Sequence, residues 1–169
     1  MICDIEHLIE ARAKDIGDGF MVRRSLPYAK KRMVGPFIFW DHMGPVSMKP
    51  DFNLTVRAHP HIGLSTLTYL FAGEIMHRDS LGYEMAIRPG AVNWMTAGKG
   101  IVHSERAAYP PDFDRLEGIQ LWLALLKEKE DIVPAFQHVP ESALPVFERG
   151  GVQWTLLAGG YEKWQSPVN

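Results

Sequence analysis

The chain has 169 residues, of which 46% are hydrophobic and 11% aromatic, so it is long enough for one well-buried core, and one domain is expected. Its formal net charge of -2 gives no basic footprint for direct nucleic-acid binding. No apolar stretch reaches membrane-spanning length, the N-terminus lacks the pattern of a secretory signal, and the single cysteine, Cys3, excludes an intrachain disulfide framework, so a cytoplasmic protein is expected.

Turn signals recur at short intervals along the chain, a pattern typical of an all-β sandwich or barrel. They are Gly17-Asp18-Gly19, Gly44-Pro45, Lys49-Pro50-Asp51, Asp79-Ser80-Leu81-Gly82, Pro89-Gly90 and Gly98-Lys99-Gly100. The segments around them predict strands at residues 37–40, 64–71, 83–88 and 91–95. The second of these strands has apolar residues on both faces, so we expect it to be covered on both sides.

The segment from residue 116 to residue 131 allows two interpretations. Its leucines and isoleucine at 116, 119, 123 and 126 have helical spacing and precede a charged run, which predicts a helix. Residues 118–123 fit equally well to a strand that is buried on both faces. After this segment, residues 134–145 contain three prolines and predict an extended connector, and residues 153–158 predict a short apolar strand.

Two short clusters contain the residues best suited to bind a metal ion. They are His59-Pro60-His61 and His103-Ser104-Glu105. Because residues two apart in a strand share a face, each pair points one way, and two strands facing each other across a barrel would bring all four side chains together. A single His-x-His is more often structural than a metal site, but the second cluster strengthens the metal interpretation.

The types of donor in these clusters narrow the choice of metal. Imidazole suits iron, copper, nickel and zinc, and an added carboxylate oxygen favours Fe(II) or Mn(II). Four protein donors on an octahedral ion leave two positions for substrate or oxygen, and open positions are typical of catalytic rather than structural sites.

Three longer blocks resemble the signature blocks of the pirin family, which belongs to the cupin superfamily. The blocks are GPFIFWDHMGP at residues 35–45, HPHIGLSTLTYLFAGEIMHRDSLG at 59–82 and NWMTAGKGIVHSER at 93–106. The resemblance implies a cupin β-barrel, also described as a double-stranded β-helix or jelly roll. It implies one barrel at residues 1–133, and a connector with the start of a truncated second cupin half at residues 134–169.

Carried over to this sequence, the resemblance implies that the metal ligands are His59, His61, His103 and Glu105. Fe(II) is the implied ion, with Mn, Ni, Cu, Co or Zn as alternatives. Most cupins take a glutamate from a position shortly after His-x-His, where this chain has about Thr66. Pirins resemble this chain in taking the acid from the second cluster instead.

Some pirins act as quercetin 2,3-dioxygenases, which use O₂ to open the flavonol ring and release carbon monoxide. The resemblance therefore implies a flavonol-like substrate, with Glu105 as both ligand and possible catalytic base for the 3-hydroxyl proton. Other pirins act without catalysis as iron-dependent transcriptional co-regulators or as binders of metabolic enzymes, which would require a protein partner. A third alternative is another cupin enzyme, such as an isomerase, whose activity does not depend on O₂.

Further residues have both a functional and a structural interpretation. His42 beside Asp41, and His77 beside Arg78 and Asp79, could orient metal ligands, although hydrogen-bonded structural roles are commoner. A possible aromatic substrate pocket, or simply core, is formed by Phe37, Phe39, Met43, Met76 and Trp94. No role is assigned to His7 and His138, and Gly98 and Gly100 are expected to shape the turn before His103.

The relation to two-barrel pirins also predicts self-association. The second barrel of such proteins covers one side of the first, so this chain would expose an apolar face. We expect a homodimer or higher oligomer in which another copy covers that face.

Overall fold

The computed structural model of the protein describes residues 4–17, 19–48, 54–107 and 113–168. Cys3, Asp18 and the predicted turn at Lys49-Pro50-Asp51 lie outside the described residues. The strands are β1 (Arg12–Asp15), β2 (Met21–Leu26), β3 (Phe37–Ser47), β4 (Thr55–His61), β5 (Leu64–Ala72), β6 (Ile75–Asp79), β7 (Glu84–Ile87), β8 (Val92–Thr96), β9 (Ile101–Ala107), β10 (Arg115–Ala124), β11 (Ala135–Val139), β12 (Val146–Arg149), β13 (Val152–Thr155), β14 (Gly160–Tyr161) and β15 (Trp164–Gln165). Short 3₁₀ turns occupy Lys127–Lys129 and Glu141–Ala143, and the described residues contain no helix that could span a membrane.

Two sheets form the body of the protein, and the prediction of an all-β fold is confirmed. The large sheet has seven strands in the order β1-β2-β3-β10-β5-β8-β11, and the small sheet has four in the order β4-β9-β6-β7. Strands β12 and β13 form one separate two-stranded sheet, and β14 and β15 form another. The pairings between these strands are antiparallel.

The ambiguous segment after residue 115 is a strand, so the helical interpretation was wrong. Strand β10 lies at the centre of the large sheet, where Leu121 pairs with Trp40 of β3 on one side and with Leu67 of β5 on the other. A strand that is covered on both faces has apolar residues at almost every position, and helical spacing can then be found within it. The charged run that follows forms only the turn at Lys127–Lys129.

The main core lies between the two sheets. It joins buried residues of the large sheet to Ile75 and Ile87 of the small sheet. The large-sheet members are Val22, Met43, Leu70 and Leu116, and Phe20 and Leu54 complete the cluster. Each fully buried side chain of this size contributes about 1.5 to 3 kcal/mol relative to an exposed one, so this cluster holds the sheets together.

The outer face of the large sheet carries a second apolar cluster. Leu67 and Leu121 pack there with Leu144 and Val168 from the C-terminal part of the chain. The chain itself therefore covers part of the face for which a second copy was expected. The homo-oligomer stays a prediction.

Residues 134–145 are more regular than the predicted connector. Strand β11 pairs with β8 and so extends the large sheet. The domain boundary between residues 133 and 134 stays a prediction, but strand β11, which follows it, belongs to the same large sheet as the strands before it. Residues 153–158 contain only the end of β13, whose residues are exposed rather than buried.

Gly44-Pro45 does not form the predicted turn, because it lies inside β3. The pairing of β3 with β10 shifts register there, between Leu116 and Gly118. Gly44 has a φ of +70°, and a Cβ on it would collide with the Leu116 carbonyl. Glycine is therefore required at this bulge.

Candidate metal centre

The two predicted clusters lie on neighbouring strands of the small sheet. Strand β4 pairs with β9, and His59 stands directly opposite His103. The clusters therefore meet side by side within one sheet, and the expectation that they face each other across a barrel was wrong. Pro60 is compatible with this position, because β4 is an edge strand of the small sheet and one side of its backbone needs no partner.

The three histidines converge through their Nε2 atoms. The distance between these atoms is 3.0 Å from His61 to His59, 3.0 Å from His61 to His103 and 3.1 Å from His103 to His59. Adjacent donors on an octahedral ion with bonds of about 2.1 Å lie about 3.0 Å apart, whereas those on a tetrahedral ion lie about 3.3 to 3.4 Å apart. The spacing of the nitrogens thus matches one face of an octahedron.

Protonation leaves these nitrogens able to bind a cation. The Nδ1 of His59 lies 2.8 Å from the Arg57 carbonyl, to which it donates, so its Nε2 carries a lone pair when the ring is neutral. Burial, followed by the charge of His59, lowers the pKa of His61 to about 4. Burial, followed by the neighbouring histidines, lowers the pKa of His103 to about 2. Both rings are therefore neutral at pH 7, which is the form that binds metals.

Glu105 is buried beside this histidine cluster, with 5% of its surface exposed. Its carboxylate, His103 and His77 have possible donor atoms within 4.8 Å of one another. The amide of Gln120, on β10, donates to both carboxylate oxygens at 3.1 and 3.0 Å. Gln120 was missed in the sequence, although an amide within the otherwise apolar segment 118–123 signals a specific hydrogen-bond partner.

A cavity of about 220 Å³ opens beside Glu105 and His59. Phe39 and Trp122 form a flat part of its wall, with their rings stacked at 4.0 Å. Arg24 covers the other end of this wall, since its guanidinium lies 4.3 Å from the Phe39 ring and binds the buried Asp41 through two hydrogen bonds of 2.8 and 2.7 Å. The cavity is mostly apolar, and its polar lining residues are the Arg24–Asp41 pair and, at the candidate metal centre, His59, Glu105 and Gln120.

Only part of the aromatic set proposed from the sequence lines this cavity. Phe39 and Met43 do so. Phe37 and Trp94 pack against the cluster on the outer face of the large sheet, and Met76 is not among the described lining residues. Phe37 and Phe39 are two residues apart on β3 and would share a face by alternation alone. The pairing of β3 with β10 shifts register between Trp122 and Leu123, opposite these residues, and this irregularity accounts for their different surroundings.

The remaining sequence candidates are placed as follows. His42 is half-buried, contacts Arg23 at 2.7 Å and Glu117 at 3.3 Å, and is not brought to the cluster. His77 is buried and touches both His103 and Asp79. Thr66 is buried on β5, opposite Trp122. Gly98 has a φ of +50° in the turn before β9, as expected of a residue that shapes it.

The pirin family model matches residues 19–123, more than half of the chain. The chain belongs to the pirin family. A pirin-like protein of Caulobacter vibrioides is 53% identical over 159 residues, which cover 92% of this chain and 55% of that protein. A protein of Pseudomonas aeruginosa, provisionally named a quercetin 2,3-dioxygenase, is 48% identical over 165 residues, 96% of this chain and 51% of that protein.

A crystal structure of quercetin 2,3-dioxygenase from Acinetobacter baumannii superimposes with a TM-score of 0.89 and 44% identity, covering 95% of this chain and 52% of that one. The pirin family and this superposition confirm the cupin fold. The chain spans about half the length of the curated relatives it matches. The histidine cluster is a possible metal site.

Proposed function

We propose that this pirin is an Fe(II)-dependent quercetin (flavonol) 2,3-dioxygenase. The observation that carries the proposal is the set of three Nε2 atoms, 3.0 to 3.1 Å apart, beside an apolar cavity. The names of the Pseudomonas aeruginosa relative and the Acinetobacter baumannii structure support the reaction class.

The proposed ligands are His59, His61, His103 and Glu105. The spacing of the three Nε2 atoms fits an octahedral ion better than zinc, which prefers four tetrahedral ligands. Three imidazoles and one carboxylate suit Fe(II), with Mn(II) or Ni(II) as the nearest competitors and Cu(II), Co(II) or Zn(II) as further ones. Four protein ligands leave two of six positions open.

The substrate position follows from the shape of the cavity. A flat flavonol would meet the edges of the Phe39 and Trp122 rings, whose faces are stacked on each other and covered by Arg24, and edge-to-face aromatic contacts favour this arrangement. This places its oxygen-bearing edge toward Glu105 and the histidines. The apolar walls exclude water from that edge, which strengthens every polar interaction there.

Glu105 is the proposed base. One of its carboxylate oxygens accepts the proton of the flavonol 3-hydroxyl, while the Gln120 amide holds the carboxylate in place. Bound Fe(II) would supply a Lewis acid and a redox-active ion that can react with O₂. The three histidines hold that ion against the cavity.

The first test is iron content by elemental analysis after anaerobic Fe(II) loading and desalting. It compares the parent with His59→Ala and with His7→Ala, a control that removes an imidazole far from the site. We expect close to one iron per chain in the parent and control, and loss of iron in His59→Ala. Quercetin should then cause O₂ uptake and carbon monoxide release by the iron-loaded parent.

Two outcomes would contradict the proposal at different points. A folded parent that binds no iron would contradict the metal site itself. Bound iron without quercetin-dependent O₂ uptake would contradict the dioxygenase, and would favour an iron-dependent regulator that acts through a protein partner.

A further inference from the structure

Asp79 and His77 form a buried pair next to the candidate metal centre. Their side chains are 0% and 3% exposed, and His77 Nε2 lies 2.9 Å from Asp79 Oδ2. The other oxygen, Oδ1, accepts hydrogen bonds from the backbone amides of Leu81 and Tyr83 at 2.9 and 3.1 Å. The carboxylate is therefore fixed in orientation, and as an acceptor it requires the proton on His77 Nε2.

This pair determines which atom His77 presents to His103. A neutral imidazole carries one N–H, so His77 Nδ1 is left with a lone pair. That atom lies 3.4 Å from His103 Nδ1. The contact is long for a hydrogen bond, so it contributes little stability, but a lone pair there favours a proton on His103 Nδ1. His103 Nε2 is then the unprotonated atom, and it is the one that faces His59 and His61.

The plane of the His77 ring is also fixed by an aromatic contact from the large sheet. Phe136 of β11 stacks on it with centroids 4.4 Å apart and an interplanar angle of 15°. The large sheet thus fixes the ring plane, while Asp79 fixes its protonation.

We infer that Asp79 and His77 are positioning residues that set His103 in the tautomer required for metal binding. The inference rests on the metal-binding part of the proposed function and not on the identity of the substrate. Groups that orient metal-bound histidines typically change metal affinity by about 10- to 100-fold.

The deciding variant is Asp79→Asn. The amides of Leu81 and Tyr83 require an oxygen at Oδ1, so the new NH₂ group must face His77 Nε2. This moves the His77 proton to Nδ1, so that His77 now donates toward His103 Nδ1. The His103 population therefore shifts toward the tautomer that carries its proton on Nε2. The variant thus reverses the proton arrangement of His77 while it keeps the turn and the volume of the side chain.

The test combines two measurements. In metal-free protein, two-bond ¹H–¹⁵N correlations should show a larger share of the His103 proton on Nδ1 in the parent and a larger share on Nε2 in Asp79→Asn. In anaerobic competition with a chelator, Fe(II) affinity should fall about 10- to 100-fold in that variant. The control is Asp131→Asn, which removes one exposed negative charge away from the site and should behave like the parent in both measurements.

A second variant, His77→Phe, retains a ring against Phe136 but removes the lone pair. We expect a mixture of His103 tautomers and a smaller loss of Fe(II) affinity than in Asp79→Asn. An unchanged His103 tautomer in either folded variant would overturn the inference, as would a loss of affinity without a tautomer change. If the parent binds no Fe(II), the proposed function fails, while the metal-free spectra still decide the tautomer.

Discussion

The two sheets of this pirin differ in what they contribute to the site. All three histidines of the cluster and Glu105 lie on β4 and β9 of the small sheet, so backbone hydrogen bonds between adjacent strands set their spacing. The large sheet contributes Phe39 and Trp122 of the cavity wall, whose distance from the cluster depends on packing between the sheets. Metal binding should therefore depend on local register, and substrate binding on the shared core.

Gln120 connects the two sheets at the site itself. It belongs to β10 of the large sheet, and its amide binds the Glu105 carboxylate of the small sheet. The comparison thus predicts three classes of variant, which affect metal binding, catalysis or substrate binding.

The largest expected effect is the loss of Fe(II) binding by the histidine cluster in the His103→Ala variant. His103 contacts both other histidines of the cluster, so its removal leaves two of the three converging imidazoles. Loss of a residue that only orients a metal ligand lowers metal affinity by up to about 100-fold. Loss of His103, a proposed ligand, should lower Fe(II) affinity by more than that. Chelator competition measures it, with His7→Ala as control, and near-parent affinity in a folded His103→Ala protein would contradict the ligand assignment.

The next effect concerns the connection between the sheets. Gln120→Met keeps the approximate side-chain shape but removes the amide that holds Glu105. Small displacements of catalytic groups cost about 100-fold, so we expect flavonol turnover to fall about 10- to 100-fold while one iron per chain is retained. Oxygen uptake and elemental analysis measure the two quantities, and Gln153→Met on exposed β13 is the control. Equal turnover in both variants would show that Gln120 does not position the base.

The sequence predicted which side chains share a face of a strand better than it predicted which strands pair with each other. Alternation along β4 and β9 correctly placed His59 with His61 on one face, because it depends only on local backbone geometry. The adjacency of these strands depends on pairing over more than 40 residues, for example between His59 and His103, and no local pattern encodes it. The same holds for Gln120, which reaches Glu105 from a distant strand.

The other two errors have separate physical causes. The residues of β10 are apolar on each side because the chain's C-terminal part covers the outer face, so their pattern could not distinguish a helix from a strand. Gly44 was read as a turn because a glycine before proline is typical of one, but it forms a bulge inside β3. Neither difference changes the predicted donor set, which depends on β4 and β9 alone.

A smaller and more selective effect is expected from the large-sheet wall. Phe39→Ala removes a ring that is stacked on Trp122 and covered by Arg24, which should cost about 3 to 5 kcal/mol in the free energy of unfolding. Loss of one aromatic contact should raise the flavonol KM by about tenfold, with iron content unchanged. Denaturant unfolding and steady-state kinetics measure both, and Phe71→Ala, at a half-exposed position, is the control. Reduced iron content in a folded Phe39→Ala protein would contradict the independence of the two sheets.

The smallest expected effect is the contribution of His61, on the small sheet, to the pH dependence of the free energy of unfolding of the metal-free protein. His61 has a pKa of about 4 in the folded protein, because it is buried and lies beside His59, against an ordinary value of about 6.5 when unfolded. Between these values the unfolded chain binds a proton that the folded protein does not. The free energy of unfolding should therefore fall as the pH is lowered from 6.5 to 4, and His61 should add no further loss below that. Denaturant unfolding at pH 7 and 5 should show a smaller loss in His61→Gln than in the parent or in His7→Gln, and equal losses in all three would mean that His61 is not held neutral by its surroundings.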